Sequence, residues 1–165
     1  MQYTYTELAA YLLLYSFIGW ALEVAFFAVK ERRFCNRGFF SLPFCPEYGI
    51  MMDILILLLP EQGTKWLLQF LTTWMVVSVV EYFSGGISAK IWKKHLWNYE
   101  DVTLFGGKKK SVLLSLIKAA VVMTAVLLLH PPVFILFSMI PTIVLRIIDI
   151  VGFGLMAADL VSILI

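Results

Sequence analysis

Glu23, Asp53, Glu81, Lys118, Arg146 and Asp149 each sit inside a run of apolar residues. An ionised side chain at the centre of a membrane helix costs about 2.5–3.5 kcal/mol on the insertion scale, so each of these groups must bind something or meet an opposite charge. Carboxylates there hold cations or protons, and the basic groups hold anions or neutralise the acids. Ser16, Gly19, Trp20 and Glu23 fall at i, i+3, i+4 and i+7 on one face of a helix, and Ser78, Glu81 and Gly85 share a face of another. Small and polar stripes of this kind face neighbouring helices. The expectation is that Glu23, Glu81 and some of the other charges converge on one inward polar site, with separate structural pairs as the alternative. Arg146 and Asp149, three residues apart, can pair within their own helix. Lys118 and Arg146 have stems long enough to reach an interface, whereas the short side chain of Asp53 does not.

The runs that carry these groups are Leu8 to Val29, Tyr48 to Pro60, Trp66 to Ser88, Ser111 to Leu129 and Pro132 to Phe153. A helical span needs about 20 consecutive apolar residues. Apolar residues make up 61% of the 165 and charged ones 15%, against roughly 45–50% and about 25% in soluble domains. The runs are continuous and do not alternate, so they read as helices and not as barrel strands. The expected fold is all-α, a polytopic transmembrane helical bundle with about five spans forming a single integral membrane domain over residues 1–165. The first run lacks a basic n-region and a small-residue cleavage site and reads as a retained span. The tail "LMAADLVSILI" is too short to cross again and either lies along the interface or extends the fifth helix.

Lys30, Arg32, Arg33 and Arg37 follow the first run, and Lys90, Lys93, Lys94, Lys108, Lys109 and Lys110 lie between the third and fourth. Positive charge marks the cytoplasmic side, which predicts an amino terminus outside and a carboxyl terminus inside. With a rise of 1.5 Å per residue, Glu23 lies about 10 Å from the Lys30 end, Asp53 about 9 Å from Glu47 and Glu81 about 13 Å from Lys90. Lys118 is about 12 Å from Lys110 and Arg146 about 10 Å from an exit near Phe153, so all five fall in the cytoplasmic half.

"FCNRGFFSLPFCPEYG", Phe34 to Gly49, enters that half from the cytoplasm. Its Gly38, Pro43 and Pro46 oppose a continuous helix, which predicts a proline-broken cytoplasmic or re-entrant loop capping the polar site. Arg37 in this loop can bind an acidic group, Glu23 or a substrate phosphate, or simply mark the inside. Cys35 and Cys45 form no C-x-x-C pair and lack a nearby histidine, so they read as small apolar packers and no metal is expected. "FGGKKKS" lacks the length and strand context of a phosphate cradle, and no nucleotide cofactor is expected. Trp97, Tyr99 and the lysines around them suit the headgroup layer. His95 and His130 stand alone and read as exposed loop side chains. The net charge of +2 gives a nucleic-acid partner nothing to rest on.

"SFIGWALE", "FCNRGFFSLPFCPEYG", "EYFSG" and "LWNYE", in this order, resemble a family of small bacterial membrane proteins, the CmpB-like ABC-transporter type IV permeases. The family pattern runs G-W-x-x-E, N-R-G-F-L-x-G-P-x-C-P-x-Y-G, E-Y-x-T-G and W-D-Y-S, and the likeness covers about Tyr11 to Pro132. Leu42, Glu47, Asn98 and Ala89 depart from it, and "FGGKKK" stands where N-x-x-G-R is usual. The resemblance implies a permease in a bacterial cytoplasmic membrane working with a separate ATPase subunit. It carries Asn36, Tyr48 and Tyr82 into the substrate-binding set beside Glu23, Arg37, Asp53 and Glu81.

Three functions are open at this point. The first is a permease-like transport component that binds a small solute at the polar site, alone, as a homo-oligomer or with partner subunits. The second is an integral membrane enzyme or lipid-binding protein at the cytoplasmic leaflet, with Glu23 or Glu81 as base and Arg37 on a phosphate-bearing headgroup. No nucleophile–base pair is legible, so catalysis is left open. The third is a structural accessory subunit. The resemblance favours transport.

Overall fold

The computed structural model describes residues 3–31, 41–59, 65–92 and 109–164. Within them the chain is helical throughout: α1 (Tyr5–Glu31), α2 (Pro46–Leu58), α3 (Trp66–Trp92), α4 (Lys109–Leu128), α5 (His130–Ser138) and α6 (Thr142–Leu164). No β-strand occurs among the described residues. Three stretches are long and apolar enough to cross a membrane: Tyr5–Ala25, Trp66–Ser84 and Ser115–Ser138. α6 carries Arg146, Asp149 and Asp159 and is not among them. The third stretch runs from α4 into α5.

Local chemistry explains the boundaries. Thr4 and Glu7 form a capping box ahead of α1: the Thr4 amide and hydroxyl both donate to Glu7 Oε2, and the Glu7 amide donates to Thr4 Oγ1. Pro46 opens α2 in place of breaking it, since the first helical position needs no intrahelical N–H. Pro131 and Pro132 occupy the first turn of α5 for the same reason. That helix tightens at its end, where the Met139 and Ile140 amides donate to Leu136 O and Phe137 O.

Pro141 then divides the fifth apolar run. The expected single span from Pro132 to Phe153 is two helices, and the second continues past Gly152 and Gly154 to Leu164. The tail is therefore part of α6. Arg146 stands about 6 Å from the Thr142 start of this helix.

The chain forms two compact units, Met1–Asp53 with Val133–Ile165, and Ile54–Pro132. In the first, Tyr11 is fully buried, stacked on Phe137 with centroids 4.7 Å apart and edge-on to Tyr3 at 6.0 Å. α6 packs on α1 where Gly152 leaves room for the Leu13 side chain, and Leu13 and Met156 are covered by Leu42, Phe44, Leu160 and Ile163. In the second unit α3 packs along α4.

Two glycines in these helices have opposite surroundings. A Cβ on Gly49 would collide with the Leu12 carbonyl and Ser16 Oγ, whereas one on Gly154 would meet nothing within 4 Å. Gly49→Ala should therefore lower stability by about 1–3 kcal/mol through overpacking. Gly154→Ala should raise it by up to about 1 kcal/mol through helix propensity. Thermal unfolding of the two variants in detergent checks the opposite signs.

Candidate functional site

The polar stripe of α1 lies against the start of α2. Gly19 has no side chain because the Tyr48 ring occupies its place, and the Tyr48 hydroxyl donates to Glu23 Oε1 at 2.7 Å. One residue on, Gly49 lets the α2 backbone approach Leu12 O and Ser16. The crossing is close because a glycine stands on each helix. It fixes the level at which α2 begins: the Cys45 amide donates to Ser16 O at 3.0 Å, so the first turn of α2 stands beside Ser16 and Gly19, just past the middle of the Tyr5–Ala25 apolar stretch.

The connector before α2 is tied down in the same unit. The Leu42 amide donates to Asp159 Oδ2 at 3.1 Å, and Phe44 sets its ring edge-on to Phe17. Asp159 is buried, and the Ser162 hydroxyl donates to its carbonyl. Sequence reasoning missed Asp159. The signal was a lone acid in an apolar tail, which should be read as needing a donor. Cys45 is fully buried, as expected of a small apolar packer.

Asp53 follows Gly49 by one helical turn on the same face of α2. It lies close enough to Tyr15 of α1 to interact with it electrostatically. Its Oδ1 is buried without a hydrogen-bond partner, as is Ser16 Oγ on the facing helix.

The second unit contains a different polar seam. On α3, Trp74, Ser78 and Glu81 fall on one face; on α4, Ser115 and Lys118 meet them. Trp74 Nε1 donates to Ser115 Oγ at 3.0 Å, the Ser78 and Ser115 hydroxyls are 3.3 Å apart, and Lys118 Nζ donates to Glu81 Oε1 at 2.6 Å. The ion pair is largely shielded, with side-chain exposures of 24% and 13% for Lys118 and Glu81. Lys118 therefore neutralises Glu81 and does not merely reach for an interface.

The structure thus joins Glu23 to Tyr48 and sets Asp53 farther along the same crossing. Glu81 lies in the other unit with Lys118 as its partner. Tyr82, beside it in sequence, is 79% exposed and edge-on to Phe83. Asn36 and Arg37 lie outside the described residues, as do Cys35, His95, Trp97 and Tyr99. Two further expectations are corrected. His130 is buried, at 4% exposure, and opens α5, so it is no exposed loop residue. Among the described residues Arg146 and Asp149 form no ion pair: Arg146 faces outward, while Asp149 Oδ1 is buried without a hydrogen-bond partner on the side of α6 that holds Gly152 and Met156. No trio of His, Cys, Asp and Glu suited to a metal ion occurs among the described residues.

The family model described as "Putative ABC-transporter type IV" matches residues 10–164. The chain belongs to this family. Neither a curated protein nor a solved structure matches it. The stretches Gly19–Glu23 and Cys45–Gly49 of this chain meet at the α1–α2 crossing, where Gly19 accommodates Tyr48, Tyr48 bonds Glu23 and Gly49 accommodates the α1 backbone and Ser16. An ABC-transporter-type component of a membrane is the functional class that this membership and the apolar helices support.

The seam on α3 and α4 yields a test of its role. Lys118→Met leaves the Glu81 carboxylate without its cation and should cost about 3 kcal/mol, whereas Glu81→Gln combined with Lys118→Met should recover most of that loss. Unfolding of the single and double variants in detergent measures the difference.

Proposed function

We propose that this chain is a permease-like transport component with a polar binding site for a small solute in the cytoplasmic half of its bundle. In this reading it crosses the cytoplasmic membrane of a bacterium about five times, with the amino terminus outside and the carboxyl terminus inside, and works with a separate ATPase subunit. Family membership and the three long apolar helices support it.

The observation that carries the proposal is the level at which α2 begins. α2 has 13 residues, about 20 Å at the helical rise, too short to cross a hydrocarbon core of about 30 Å. Its first turn stands beside the middle of α1, held there by the Cys45 amide on Ser16 O and the Tyr48 hydroxyl on Glu23. Interrupted helices that start inside the apolar layer expose backbone N–H groups and the positive end of a helix dipole there, and transporters build substrate sites from such ends. In this reading the connector acts as a re-entrant loop, and Asn36 and Arg37 belong to the binding set by the family resemblance. Glu23, Tyr48 and Asp53 form the binding set of the first unit, and Glu81 and Tyr82 are binding residues proposed for the second.

Mass spectrometry of molecules retained after gentle detergent extraction tests this. A small polar solute should accompany the wild-type chain and be lost from Glu23→Gln and Tyr48→Phe. Retention of nothing beyond bulk lipid would remove the transport reading. A phosphate-bearing lipid held in a manner abolished by Arg37→Ala would replace it with lipid binding at the cytoplasmic leaflet.

A further inference from the structure

Two buried oxygens at the α1–α2 crossing have no hydrogen-bond partner: Ser16 Oγ, whose residue is fully enclosed, and Asp53 Oδ1. They belong to facing sides of the two helices. Ser16 abuts Gly49, and Asp53 lies one turn farther along that face, beside Tyr15. The Leu12 carbonyl also faces Gly49, and a carbonyl engaged in a helix retains a second lone pair. Native interiors leave few buried polar atoms unsatisfied, and two on facing helices mark a place that something fills.

The donor set narrows what that is. The two unsatisfied atoms are both oxygens, a carboxylate and a hydroxyl, and a backbone carbonyl stands beside the hydroxyl. Oxygen sets suit hard cations and not thiophilic metals. Calcium and magnesium sites draw on more carboxylates or on substrate phosphates, whereas here one carboxylate balances one positive charge. Among the described residues no lysine or arginine pairs with Asp53. The titratable group that interacts with it is Tyr15, a phenol that is ordinarily uncharged at neutral pH. Removing a carboxylate from water without a partner is costly. A cation at the carboxylate relieves that cost.

We propose that Asp53 of α2, with Ser16 of the facing α1, holds an exchangeable monovalent cation, a sodium ion or a proton, inside the first unit. The site deepens the transport reading by naming a coupling ion, and rests on that reading for its role though not for its existence. It is distinct from the Tyr48–Glu23 contact, where the carboxylate already receives a hydroxyl.

Dicyclohexylcarbodiimide tests the site on the full-length chain in liposomes, because this apolar reagent modifies protonated carboxyl groups in apolar surroundings. Modification is read residue by residue by mass spectrometry. Asp53 should be modified, and the rate should fall about tenfold or more when sodium replaces choline at fixed pH and ionic strength, if the ion is sodium. If the ion is a proton, raising the pH should produce that fall and sodium should not. Asp53→Asn should remove the modified site while the chain stays folded. For a sodium site, Ser16→Ala should raise the sodium concentration needed for protection about tenfold. An Asp53 that is never modified, or modified at a rate that neither sodium nor pH changes, overturns the proposal. Protection by sodium that Ser16→Ala leaves unaltered overturns the part assigned to Ser16. A responsive Asp53 in a chain that retains no solute would discard the transport reading and keep the ion site.

Discussion

The close approach of α1 and α2 is the constraint on which the candidate site depends. It exists because Gly19 cedes its side-chain volume to the Tyr48 ring and Gly49 cedes its own to the Leu12 carbonyl and Ser16. With those two volumes empty, the start of α2 is pinned beside the middle of the apolar part of α1. The connector must follow it there, and its backbone groups then need partners that lipid cannot supply. The protein provides them: Ser16 O takes the Cys45 amide and Asp159 takes the Leu42 amide. Buried Asp159 thus has a physical role that follows from the glycines, although it lies far from them in sequence.

Ionisable groups in this apolar chain are handled in three ways. Glu81 receives a cation from the neighbouring helix, so α3 and α4 are joined by an ion pair above a serine–tryptophan seam. Glu23 receives a neutral donor, the Tyr48 hydroxyl. Asp53 Oδ1 receives no hydrogen bond, and neither does Asp149 Oδ1. The first arrangement holds two helices together. The second orients a carboxylate, and the third leaves one open to a ligand, which is why the proposed chemistry is placed on the first unit.

Much of this was legible in the sequence, and for identifiable reasons. Continuous apolar runs announced helices, and the i, i+3, i+4, i+7 stripe from Ser16 to Glu23 announced the face of α1 that meets another helix. The family resemblance puts Tyr48 in one candidate set with Glu23 without pairing them, and the structure places the two in contact. Other features depend on distance along the chain and were not legible. Pairing of Lys118 with Glu81 needs the register of α3 on α4, which local spacing does not contain. A proline in an apolar run signals a break without saying on which side the helix lies: Pro46 starts one, and Pro141 separates α5 from α6 inside a run that reads as a single span. The helix-compatible spacing of Arg146 and Asp149 permitted a pair, but packing turned one outward and the other inward.

Bilayer depth tests the central claim most directly. Nitroxides attached at Ile50 of α2 and Phe17 of α1, both on exposed positions, can be compared by power saturation with oxygen and a water-soluble nickel complex. If α2 begins inside the apolar layer at the level of Ser16 and Gly19, the two labels should report nearly the same depth, well away from either surface. A label at Ile50 that reports the interfacial depth of one placed at Val29, near the end of α1, would contradict the account.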